Sequence, residues 1–416
     1  MNHLECCLAT IPFNLAIFTG KITMPILNKK NLLIGSLIFL TINTANATSL
    51  TNHLTNSAQT QYSAWKTNFI NTWQGADGKT SARVLFNNSS YLPTVSEGIG
   101  YGMLLAVAAK DQATFDALWH YEIGERNNNG LMMWYVDKNG QPMDNGADTG
   151  GATDADQDMA YALILADKQW GTSPNYGYVY KTEATAQIQR IWNYEVDAND
   201  SGGNNTSYPW SGAMIMPGDS WGPAGAYTVF SSYIAPEEYL AFDNYSSAGQ
   251  NWDQVRTNAL SVLEGLQNSA NGLLPDNGSD GSKTSAYNNY TYDATRVPWR
   301  LGLYLMNGNK DGYQTVLNNL MTFLDNQFTT NNGLASGGYN YQNGTVIGSS
   351  NGGDVEFTGP AMVGEFALNG SSKTYNGYYN LVSNYQIQPL DPTSGAYFNG
   401  SLDVLMLFTQ AGALNY

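Results

Sequence analysis

Ala152-Thr-Asp-Ala-Asp-Gln-Asp-Met-Ala-Tyr-Ala-Leu-Ile-Leu-Ala-Asp-Lys-Gln-Trp170 sets three aspartates at alternate positions and follows them at once with an apolar run. Carboxylates are favoured at a helix N-terminus, where unpaired N–H groups carry partial positive charge. The stretch therefore reads as an apolar helix near 154–168 with acids crowding its start. Alternating acids also suggest a calcium loop. An EF-hand, however, needs a glycine after the third acid and a glutamate at loop position twelve. Here Met159 follows and the run turns helical, so the pattern argues against that reading.

Outward from this helix, helical stretches alternate with Gly/Asn-rich loops along the chain. The periodicity predicts helices near 55–73, 97–109, 111–122, 178–195, 234–246 and 250–268. Five more are expected near 293–306, 311–326, 355–368, 374–385 and 398–411. Asp111 is placed to cap one, and Asp311 precedes the apolar spacing Val316, Leu317, Leu320, Phe323, Leu324. Residues 131–146 read as a small hairpin. Twelve helices without a linker suggest six helical hairpins closed into a double-layered ring. The even-numbered helices would then run parallel, with their N-termini at one mouth. Glu97, Asp154, Tyr233, Asp293, Asp354 and Tyr397 all fall at those starts.

The N-terminus reads as a leader. Asn28-Lys-Lys-Asn31 is basic, Leu32 to Ile42 is apolar but too short to span a bilayer, and Ala45-Asn-Ala47 offers small residues for cleavage. Met24 is a candidate true start. A mature chain of 48–416, a single domain, secreted or periplasmic and without a membrane anchor, is expected. Both cysteines, Cys6 and Cys7, lie in the leader. That removes disulfides, a thiolate nucleophile and thiolate metal ligation. Only His53 and His120 remain, which disfavours a Ser-His-Asp triad or a multi-histidine zinc site. No metal and no cofactor are expected. The leader holds three lysines and one acid, leaving 15 basic against 33 acidic residues. Nucleic acid and anionic membranes are poor partners for such a chain. Abundant Asn, Gly, Ser, Thr and Tyr suit a neutral, hydroxyl-rich ligand, and equally suit a loop-rich exported protein.

Two further segments carry chemistry. Thr94-Val-Ser-Glu-Gly-Ile-Gly-Tyr-Gly-Met103 combines a capping serine, an acid and three glycines ahead of an apolar helix. Glycine in a helix costs about 1 kcal/mol against alanine, so the string points to close approach of a backbone or a ligand. It lacks the lysine of a phosphate loop. By position alone, Glu97 is better explained by the helix dipole than by catalysis. Tyr290-Thr-Tyr-Asp-Ala-Thr-Arg-Val-Pro-Trp-Arg300 holds two of the six arginines. Arg296, three residues after Asp293, is placed to hold that carboxylate ionised. A helix cap with an intrahelical ion pair is the plainer alternative.

Together these segments resemble glycoside hydrolase family 8. Residues 152–170 fit the family signature, and SEGIGYGM, MPGDSWG (216–222) and YDATRVPWR follow in the family's order and spacing. The resemblance covers 55–413 and implies an all-α (α/α)6 barrel, with the small hairpin near the cleft. It implies an inverting endo-β-1,4-glucanase acting on cellulose-like or mixed-linkage polysaccharide, as a monomer. Glu97 would be the general acid and Asp293 the general base. Asp154 would hydrogen-bond the distorted sugar. Tyr292 and Arg296 would flank Asp293, Tyr233 would position water, and Trp134 and Trp221 would stack on sugars. Inversion would set the two carboxyls roughly 6.5–9.5 Å apart. An aspartate at 293 speaks against the chitosanase branch of the family. Xylan and chitosan remain alternatives, as do non-catalytic glycan binding and a role in cellulose export. The Asn/Gly/Ser-rich stretch 196–213 departs from the family in length.

Overall fold

The computed structural model describes residues 51–143, 149–197, 213–220, 228–279, 289–348, 354–392 and 396–416. Residues 51–416 form one unit. Its helices are α1 (51–69), α2 (Ser96–Ala108), α3 (Gln112–Gly124), α4 (Thr153–Trp170), α5 (Tyr180–Tyr194) and α6 (Pro236–Tyr245). They continue as α7 (Trp252–Leu266), α8 (Val297–Met306), α9 (Gly312–Asn331), α10 (Val355–Asn369), α11 (Lys373–Ser383) and α12 (Ala396–Gln410).

The even-numbered helices close a ring: α2 contacts α4, then α6, α8, α10 and α12 follow in turn, and α12 returns to α2. Each is covered from outside by an odd-numbered neighbour. Burial follows this layering. Every residue of α2 except Glu97 is buried, and so is the whole of α4 from Thr153 to Ala166. Helices surrounded on all sides need no polar face. The outer α7 instead buries Trp252, Val255, Ala259, Val262, Leu263 and Leu266, one stripe at helical spacing. The glycine string serves the close approach expected of it. A Cβ on Gly100 would meet Asp158 Cβ at 3.0 Å and the Ala155 carbonyl at 3.1 Å on α4.

Several local readings need correction. The first helix stops at residue 69 because Ile70–Gln74 pairs antiparallel with Thr80–Val84. Helix α2 begins at Ser96, whose hydroxyl makes no cap and has no partner. Its first turn is held instead by the Ser96 N–H donating to the Trp134 carbonyl at 2.9 Å. The 131–146 hairpin shrinks to a single Val136–Pro142 bridge. Tyr135–Val136 pairs chiefly with Thr94–Val95, drawing that loop over the mouth; residues 144–148 lie outside the described ones. Helix α8 starts at Val297, after a 3-10 turn Ala294–Arg296, because Pro298 fits only its first turn. Asp111 and Asp311 cap as expected, accepting from the Thr114 and Tyr313 N–H groups. The β structure among the described residues consists of two-stranded antiparallel pairs.

Candidate active site

The three alternating aspartates of α4 diverge. Asp154 and Asp158, one turn apart, share a face. Asp154 accepts from Arg296 Nη1 at 2.9 Å, and Asp158 takes both terminal nitrogens of Arg300 at 2.5 and 2.8 Å. Asp156 points away and accepts from Gln187 on α5 at 2.9 Å. Spread over three partners, they do not form a calcium loop. Among the described residues no cluster of three or more His, Cys, Asp or Glu side chains is arranged as a metal-ion site.

Arg296 is the hub of the mouth. It is 2% exposed, and its Nη1 also donates to Glu97 Oε2 at 2.6 Å and to the Tyr101 hydroxyl at 3.0 Å. Nη2 donates to Asp293 Oδ1 at 2.7 Å. One planar guanidinium thus joins carboxylates from the starts of α2, α4 and α8, which no short-range pattern in the sequence reveals. The second oxygen of Glu97 accepts from the Tyr397 hydroxyl at 2.5 Å.

Burial dominates the electrostatics. It lifts Glu97 to about 7 against the pull of Arg296, with Asp154 adding repulsion and the Tyr397 hydrogen bond opposing. Burial also raises Asp293 to about 6; Arg296 lowers it, while Asp276 and Asp154 push it up. Arg296 pairs with Asp293 and favours its ionised form, in line with the i, i+3 spacing, but it is divided among three carboxylates, and burial still leaves the pKa above the usual carboxylate range.

Asp276 escaped the sequence reading, because Pro275-Asp-Asn-Gly278 looks like an ordinary turn. It is buried and accepts from the Thr291 and Ala294 N–H groups, both at 2.9 Å, and from the Thr291 hydroxyl. That clamps the turn presenting Asp293. Tyr233 is buried, stacks on Phe230 at 4.8 Å and lies near Arg296; Gln157 donates to its carbonyl at 2.7 Å. Tyr292 is 53% exposed beside Asp293. Trp134 lines the mouth with Glu97 and Asp154. Trp221 lies outside the described residues.

Two hollows meet at Phe86, Glu97, Asp293, Arg296 and Tyr397. One, of about 210 Å³, extends past Trp134 and Tyr233; the other, of about 740 Å³, extends past Tyr292, Glu356 and Tyr385. The carboxylates therefore stand within a cleft and not at its end.

The family model described as Glycosyl hydrolases family 8 matches residues 38–412. The chain belongs to glycosyl hydrolase family 8. Endoglucanase C of Ruminiclostridium cellulolyticum is 32% identical over 88% of this family 8 chain and 73% of its own length. Endoglucanase A of Acetivibrio thermocellus is 38% identical over 58% of the chain and 47% of its own length. The chain thus spans about half of that relative, and likewise 50% of Endoglucanase 2 of Ruminiclostridium josui. Among solved structures, the Beta-1,3-1,4-glucanase of Paenibacillus sp. X4 superposes with a TM-score of 0.72 at 24% identity, covering 87% of this chain and 93% of its own. Rex8A of Paenibacillus barcinonensis, solved with xylose, gives 0.68 at 17%, covering 88% and 94%. These share the family 8 helical ring.

Proposed function

We propose that this chain is an inverting endoglucanase cleaving internal β-1,4 bonds of cellulose-like or mixed-linkage β-glucans. The observation that carries the reading is the pair Glu97 and Asp293, raised to about 7 and about 6 on one buried guanidinium inside a cleft open to hollows on both sides. Relatives named endoglucanases support the glucan, and the two-sided cleft supports internal cleavage.

Glu97 is the general acid. Arg296 has no acceptor and donates to Oε2, so the transferable proton resides on Oε1, beside Tyr397. It passes to the glycosidic oxygen as the bond to the leaving sugar breaks. Asp293, ionised, takes a proton from a water attacking the opposite face, which inverts the anomeric carbon. Asp154 hydrogen-bonds the sugar under attack, and Tyr233 orients the water. Trp134 and Trp221 stack on flanking sugars. Residues 1–47 act as an export leader, which puts the enzyme outside the cytoplasm with the polymer.

A panel of carboxymethylcellulose, lichenan, xylan and chitosan, read by reducing ends, tests the substrate. Turnover of lichenan or carboxymethylcellulose above xylan and chitosan is expected; the reverse order would refute the glucan assignment. Glu97→Gln and Asp293→Asn should each lower kcat on the order of a thousandfold while oligosaccharide binding persists. Near-wild-type turnover in either would remove that residue from its role. Proton NMR should show the α anomer first; a β anomer would exclude inversion.

A further inference from the structure

The wider hollow contains a carboxyl group that the chemistry above does not use. Glu356, in the first turn of α10, is 3% exposed although it lines the cleft with Asp293. Asn399 on α12 lines the same hollow, and Oε2 has no partner. An unpaired buried carboxyl oxygen costs stability, and such costs persist where function needs them. The terminal torsion of a glutamate is soft, so this carboxyl group at the cleft wall is free to adjust to a ligand. The surroundings are aromatic. Tyr292 offers an exposed ring steadied by Phe357 at 5.8 Å and Phe398 at 6.5 Å, and Tyr385 lines the same hollow. Rigid rings around a few convergent polar groups are the usual make-up of a pocket for a compact polar ligand. The spacing to the reacting centre is also fixed. Thr295, two residues after Asp293, donates its hydroxyl to the Glu356 carbonyl at 2.7 Å.

We propose that Glu356 and Asn399 form the hydrogen-bonding floor of a sugar subsite beyond Asp293, walled by Tyr292, Phe398 and Tyr385. This rests on the glycan-hydrolase reading above but concerns binding, not bond cleavage. Glu356 binds a hydroxyl of the sugar in that subsite and selects for chains long enough to reach it.

Calorimetric titration separates the two. In the Glu97→Gln background, cellopentaose, xylopentaose and a chitosan pentamer are titrated into the parent, E356L and E356Q. At least one pentamer is expected to bind the parent. E356L should weaken that binding about tenfold or more, and E356Q, which can still donate and accept, should stay within about threefold. E356L should melt at the parent's temperature or above it, because leucine removes an unpaired buried carboxyl group. A merely structural glutamate predicts the opposite shift. Unchanged affinity in E356L, or lost affinity accompanied by a lower melting temperature, overturns the subsite and leaves the chemistry standing. Pentamer binding without hydrolysis by the wild type overturns the chemistry and leaves the subsite. Absence of binding by every pentamer overturns both.

Discussion

Glu97 holds its two oxygens against different donors, Arg296 at 2.6 Å and Tyr397 at 2.5 Å. Both favour its charged form, yet burial keeps it protonated to about 7. An acid that must be protonated and a base at about 6 that must be ionised give a bell-shaped kcat/KM profile. Its acid limb should fall near pH 6 and its alkaline limb near pH 7. In Tyr397→Phe the hydrogen bond that lowers the Glu97 pKa is lost, so the alkaline limb should move to higher pH while the acid limb stays. A pH–rate series on a soluble oligosaccharide decides it, and a shift to lower pH would contradict the account. Glu97, Asp154, Asp293 and Arg296 were legible because each sits in a motif at a helix start. Tyr397 was placed at the mouth by its helix start, but its bond to Glu97, 300 residues away, was not legible, and Asp276 and Glu356 sit in no motif that marks them.

At the scale of elements, the inner helices were legible from apolar runs and the outer ones from their stripes. The paired strands were not. Most are two or three residues long, and residues 70–74 continue the composition of the helix before them. Helix α2 meets α4 through Gly100, where an added Cβ would press on Asp158 Cβ and the Ala155 carbonyl. Alanine gains about 1 kcal/mol of helix propensity there. Overpacking against a backbone that cannot yield costs about 1–3 kcal/mol. Gly100→Ala should therefore be net destabilising by about 1 kcal/mol, seen as a lower denaturation midpoint with an unchanged m-value. A rise in the midpoint would mean that the two helices part without cost.

At the scale of the molecule, many carboxyl groups titrate far above their unfolded range. Burial raises Glu237 and Glu356 to about 7, as it does Glu97, and Asp325 beside Glu365 to about 8. A carboxyl whose folded pKa exceeds its unfolded value, about 4, stabilises fully below that value and loses the contribution as pH rises through the folded one. Asp77, which is exposed, and Asp137, which is half-buried, are lowered by backbone hydrogen bonds and act the other way, only in stronger acid. Melting temperature at constant ionic strength should thus fall from pH 5 to pH 8; a rise over that interval would show that these groups ionise freely in the fold. Ring closure itself could only be suggested by twelve helices, since nothing local states that α12 meets α2. At that seam Tyr397 of α12 donates to Glu97 of α2, and a pair of arginines on α8 and the turn before it ties α8 across the ring. Arg296 reaches Glu97 and Asp154, and Arg300 reaches Asp158 on α4 and Glu238 on α6 at 2.7 Å. A partial assembly of the first six helices would leave those acids without the cations that answer them in the complete ring. Open helical repeats can grow one unit at a time. In this ring acids of α2, α4 and α6 find their cations on α8 and the turn before it, so the stability of the first half is coupled to that of the second.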